Sequence, residues 1–506
     1  MLSGLSLAFL ALGSWVFWQL LSFVRARIAT AHLRRIPGPP AGSFLAGNLS
    51  QFFARDAVGF QTHIAHDFGS VVKLDGFFGT PILYVADPKA LHTILIKEEH
   101  IFHEVPDFIS TNTIIFGANA LVSTLGAQHS RQRKLLNPVF SVSHMRHMLP
   151  LFYNVVYKLR AAIESRVGED QREIDMLNWM GRTALELIGQ GGLGHSLDPL
   201  IEDSTNAYGQ ALKSIAPGIS ELRVLRQVTI YTRHIIPAWV RRAVVDVFPR
   251  GTTVHAVKEM VDTMDFHSRA IYDAKKLAFQ KGDAEVVKQV AEGKDIMRSS
   301  VRLHPSLYVL NKSKYLQVRA NSLADAADRL SEEEVIQQMS YPPVTILFRV
   351  ATQDTVLPLS EPIYATDGTR MDDIPLMKGS QVILGFFGCN TSKALWGEDA
   401  HEWKPERWLS PLPSSVTDAR IPGVYSNLGF KFSEMEMSEF NLRSSATIAI
   451  ADTRRRGRAL RPPDSVHLRT PEKPIVWNVA GVWYPTAEKD SARPEMPLKF
   501  VTIQSN

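Results

Sequence analysis

Apolar and polar positions divide the chain into an apolar head, a stiff hinge and a long globular remainder. Residues 1–24 carry no charge, and Gln19 is the one strongly polar side chain among them. As a helix they extend about 36 Å, enough to cross a hydrocarbon core with some tilt. Trp15 and Trp18 are placed to sit toward an interface. Arg25, Arg27, Arg34 and Arg35 follow, which keeps the bulk of the chain on the cytoplasmic side. A cleaved signal peptide is the weaker reading, because the charge lies behind the apolar run rather than before it. The basic, proline-rich stretch 25–47, with Pro37-Gly-Pro-Pro40, then forms a hinge.

Past the hinge, 52–95 alternates a helix with short strands such as Ser70–Leu74 and Ile82–Ala86, which predicts a small mixed sheet. Gln128-His-Ser-Arg-Gln-Arg-Lys134 opens an amphipathic helix that continues through Leu135, Leu136 and Val139. His129 and Arg133 are four apart and share one face of it. Periodicity is helical over 149–187 and 254–280, with Gly282-Asp283 as a stop. Ser331-Glu-Glu-Glu334 is a capping box with its acids at the positive end of a helix dipole. Pro342 and Pro343 nevertheless end that helix after about nine residues, near the lower limit for globular helices. The same prolines fix an extended entry into Val344–Ala351, which reads as a strand, and Gln381–Gly388 is a second apolar run of strand length. Arg349 lies between apolar neighbours, where a charge needs a partner. That partner is either a carboxylate of the chain or an anionic group of a bound cofactor.

Composition narrows the classes. With 506 residues, 45% hydrophobic and 21% charged, the chain has ample material for a large core. A net charge of +5 is small for this length and gives no reason to invoke nucleic acid. The basic stretch Thr453–Arg458 lacks interleaved aromatics and reads as solvated. One cysteine excludes an internal disulfide framework and any multi-cysteine zinc cluster. Gly189-Gln-Gly-Gly-Leu-Gly194 matches the dinucleotide fingerprint literally, but it follows a helical pattern and reads as a glycine-rich helix exit.

Tyr341-Pro-Pro-Val344, Phe348-Arg-Val-Ala351, Trp396-Gly-Glu-Asp-Ala400 and Pro405-Glu-Arg-Trp408 occur in that order. This series resembles the C-terminal half of a fungal cytochrome P450, and Gly47-Asn48 after the hinge is similar to the family's own Gly-Asn pair. The resemblance runs from Ile36 to about Leu428 and returns near the C-terminus. It implies a mainly α fold with a minor β-sheet region, one domain over 48–506 on an N-terminal transmembrane helix, in the endoplasmic reticulum membrane. It further implies a heme-dependent monooxygenase that hydroxylates an apolar small molecule of secondary metabolism with O2. Electrons would come from NADPH through a cytochrome P450 reductase. By resemblance, His129, Arg133 and Arg349 fall on positions that hold heme propionates, and Arg407 is a structural brace.

The chain also departs from that family. The long I helix with its acid–threonine pair and the K-helix Glu-x-x-Arg should lie between Ser340 and Tyr341. The Phe-x-x-Gly-x-Arg-x-Cys loop, whose thiolate is the axial iron ligand, should lie between Leu428 and Gly429. None is present. Ala351–Thr355 imitates part of the oxygen-activation motif but sits in strand territory, and Cys389 reads as a small buried hydrophobe. Segments 298–317 and 441–470 look foreign. The expectation is therefore a chain with no catalytic or metal-ligating residues in place, inactive as written through misjoined exons or degeneration. The alternative is a non-catalytic, membrane-tethered remnant that binds a ligand or a partner.

Overall fold

The structure is a computed structural model describing parts of 13–29, then 30–136, 142–166, 173–193, 195–198, 200, 207–281, 347–400, 413–419, 465–469, 476–479, 483–487 and 495–503. Two compact units emerge: Met1–Val105 with Ile346–His401 and Pro413–Pro422, and Pro106–Thr345 with Glu402–Leu412 and Gly423–Asn506. The described strands are β1 (Val71–Asp75), β2 (Pro81–Val85), β3 (Phe102–Glu104), β4 (Glu173–Asp175), β5 (Leu347–Ala351), β6 (Thr355–Tyr364), β7 (Arg370–Leu376), β8 (Gln381–Leu384), β9 (Ser465–Arg469), β10 (Val476–Val479), β11 (Trp483–Thr486) and β12 (Pro497–Ile503).

The first unit is built on a five-stranded mixed sheet in the order β1-β2-β8-β5-β3. β2 pairs parallel to β8, and the other neighbours are antiparallel. The run Pro-Ile-Leu-Tyr-Val of β2 is buried along its whole length, as a strand covered on both faces should be. Val72, Leu74, Leu83, Val85, Val382 and Ile383 form its dry interior. The small mixed sheet expected from Ser70–Leu74 and Ile82–Ala86 is present as β1 and β2. The apolar run from Gln381 stays a strand only to Leu384, and Phe386–Asn390 is a short helix. A Cβ on Gly385 would meet the Tyr84 ring at 2.7 Å, so the backbone turns where a glycine lets it press against that ring. Asp87 caps helix Pro88–His92 through Ala90 N at 2.9 Å, and it also holds Ser360 of β6 through N at 2.9 Å and Oγ at 3.1 Å.

The second unit is mainly helical. Helices Val142–Glu164 and Met176–Leu193 bury Phe152, Val155, Leu159, Trp179, Met180 and Leu187 between them and their neighbours. The helical stretch expected over 149–187 is interrupted by β4. There Asp175 Oδ1 accepts from Asn178 N at 3.3 Å, at the start of helix Met176–Leu193, and from Met496 N at 3.0 Å. β4, β12 and β9 form an antiparallel sheet. Helix Ala207–Glu221 packs on Thr253–Gln280, close to the helix expected at 254–280.

Residues Gly189–Leu193 of the glycine-rich motif form the last turn of helix Met176–Leu193, as expected of a helix exit. Gly189 O accepts from His195 N at 3.0 Å, and a Cβ on Gly189 would come within 2.6 Å of His195 O. The glycine is there because the returning chain crosses the helix. Fully buried Glu186 receives that chain, accepting from Leu197 N at 2.8 Å, Asp198 N at 2.7 Å and Ser196 Oγ at 2.6 Å. Asp198 in turn forks with Arg182 at 2.7 and 2.9 Å, and the guanidinium lies 4.4 Å from the Trp179 ring centre. These contacts are those of a folded corner and have none of the strand–turn–helix geometry of a dinucleotide site.

Among the described residues no helix is long and apolar enough to cross a membrane. Residues 1–12, the short helix at 331–340, the prolines Pro342 and Pro343, and the segments 298–317 and 441–470 lie outside the described residues. The architecture, helical with small sheets, is the expected fold class.

Candidate functional site

Helix Gly126–Leu136 carries two of the four expected site residues. Gly126 has φ +59, a left-handed conformation that lets the chain turn into the helix without a Cβ clash. Buried Gln132 then locks the helix down: its Oε1 accepts from Thr124 Oγ1 at 2.7 Å and its Nε2 donates to Asn119 O at 2.9 Å. His129 and Arg133, one turn apart and both half-buried, are thereby held on one face of an anchored helix. Gln132 was not singled out from sequence. Its signal is a polar residue between charged neighbours that turns inward, which only the packing reveals.

Arg349 sits on β5, in the other compact unit. Directly opposite in the antiparallel register is Glu104 of β3. Arg349 Nη1 donates to Glu104 Oε2 at 2.6 Å and to Phe348 O at 2.8 Å. The two side chains are 11% and 27% exposed, so the pair is shielded from screening by water. A carboxylate of the chain is one of the two partners that the sequence left open. Phe348 beside it stacks on Phe53, with ring centres 5.8 Å apart. Arg407 falls in 401–412, outside the described residues.

The acid–threonine look-alike at Ala351–Thr355 is a connector. Thr352 bonds to Ile101 O through both N and Oγ1, and Asp354 Oδ1 accepts from Lys378 N at 2.7 Å. Its polar groups close the corner between β5 and β6.

Heme–thiolate chemistry needs a cysteine thiolate on the iron. The chain has one cysteine, Cys389, and it is 2% exposed. Burial, and next the nearby Asp87 carboxylate, push its thiol up to about 12. It stays protonated at neutral pH, inert in an apolar niche against Trp396, whose Nε1 donates to Cys389 O at 3.1 Å. The residues present do not fit a heme–thiolate centre. Among the described residues there is also no group of three or more His, Cys, Asp or Glu suited to a metal ion.

Comparison with known proteins supplies the family. The model for cytochrome P450 matches residues 37–303. Cytochrome P450 monooxygenase 212 of Postia placenta is 45% identical over 97% of both chains, and monooxygenase 81 of the same fungus is 43% identical over 95% of both. Ganoderic acid synthetase CYP5150L8 of Ganoderma lucidum is 36% identical over 99% of both. The match to monooxygenase 212 spans 553 aligned positions, more than the 506 residues of this chain, so that relative holds residues with no counterpart here. With a family model over more than half of its length and relatives aligned almost end to end, the chain belongs to the cytochrome P450 family, alongside fungal monooxygenases whose cofactor is heme.

Proposed function

We propose that this chain is the scaffold of a membrane-anchored fungal monooxygenase for an apolar small molecule, and that the polypeptide as it stands is not catalytically competent. The observation that carries the second half is Cys389, the chain's one cysteine, buried with its thiol pushed up to about 12. No other side chain can supply an axial thiolate. The surplus of aligned positions in the relative supports the same reading, and we assign the missing blocks to the junctions Ser340–Tyr341 and Leu428–Gly429. In an intact form His129, Arg133 and Arg349 would neutralise heme propionates, Arg407 would brace the core, and a membrane-bound NADPH-dependent reductase would deliver electrons. The relative named for ganoderic acid supports a substrate from secondary metabolism. The uncharged run 1–24 with the arginines behind it supports an uncleaved anchor in the endoplasmic reticulum membrane, with the globule on the cytoplasmic side.

A pair of full-length proteins tests this. The 506-residue chain and a version with the two junction blocks supplied from monooxygenase 212 are expressed with reductase and assayed for heme content and substrate-dependent NADPH oxidation. The repaired version gains both and the original has neither. Equal heme content and turnover in the two would overturn the reading.

A further inference from the structure

We draw no further inference here: the strongest candidate, the exposed apolar stripe that Phe266, Ala270, Ala274 and Leu277 make along helix Thr253–Gln280, is an unpartnered face, and nothing in the structure shows what covers it.

Discussion

Glu104 and Arg349 face each other across strands β3 and β5, with 2.6 Å between Oε2 and Nη1. The cross-strand register brings the carboxylate opposite the arginine, and the sheet holds both side chains partly out of water. Removing one partner takes this charge-assisted hydrogen bond from a charge held partly out of water, which is costlier than removing both. Glu104→Ala should lower stability by about 1–3 kcal/mol, read as a shift in the urea midpoint. Glu104→Met with Arg349→Met should recover most of that loss. A single variant as stable as the parent would show that the pair contributes nothing.

Gly189→Ala separates close packing from helix preference. Alanine favours a helix over glycine, yet here its Cβ would lie 2.6 Å from a backbone oxygen. The expected loss is about 1–3 kcal/mol. Gly59, in helix Val58–Asp67, has nothing within 4 Å of its own Cβ position. Gly59→Ala should therefore stabilise by about 0.5–1 kcal/mol. Thermal unfolding of the two variants should move in opposite directions.

How much of this was legible in the sequence follows from the range of each interaction. Strands β1 and β2, the shared face of His129 and Arg133, and helix Thr253–Gln280 announce themselves through local periodicity, so they were readable without a structure. Arg349 announced that it needed a partner, but Glu104 lies 245 residues away in a three-residue strand that no pattern marks. Gln132 turns inward because of a loop that packs on it. The break in 149–187 holds β4, which pairs with β12 near the C-terminus, a contact invisible to any local window. Periodicity records which face is buried and is silent on what buries it.

Cys389 makes a prediction about alkaline stability. Its thiol is pushed up to about 12 in the folded chain against an ordinary value of 9.0, so the unfolded chain ionises first. Its contribution is fully present below pH 9.0 and is lost as pH rises toward about 12. Burial raises the Tyr84 phenol in the same sense. Cys389→Ala should flatten the decline of unfolding free energy above pH 9.0 by up to about 1.4 kcal/mol per pH unit. At neutral pH the native thiol should resist an alkylating reagent that labels it at once in urea. Rapid labelling of the folded chain would contradict the burial described.

Arg182 and Asp198, 7% and 3% exposed, form the most shielded ion pair among the described residues. Asp198→Ala removes the carboxylate that forks with the buried Arg182 guanidinium over Trp179, and with it the acceptor that holds Leu200 N. The expected loss is about 3–5 kcal/mol, with exposure of Trp179 visible in its fluorescence. An unchanged unfolding curve would rule out a stabilising role for this corner.

The central claim is that a cytochrome P450 scaffold remains here without the sulfur that would hold the iron. Its most direct test is the carbon monoxide difference spectrum of the full-length chain, expressed with a heme precursor and reduced with dithionite. The account predicts no red-shifted Soret band of thiolate-ligated ferrous heme. A clear band of that kind, lost on Cys389→Ala, would contradict it.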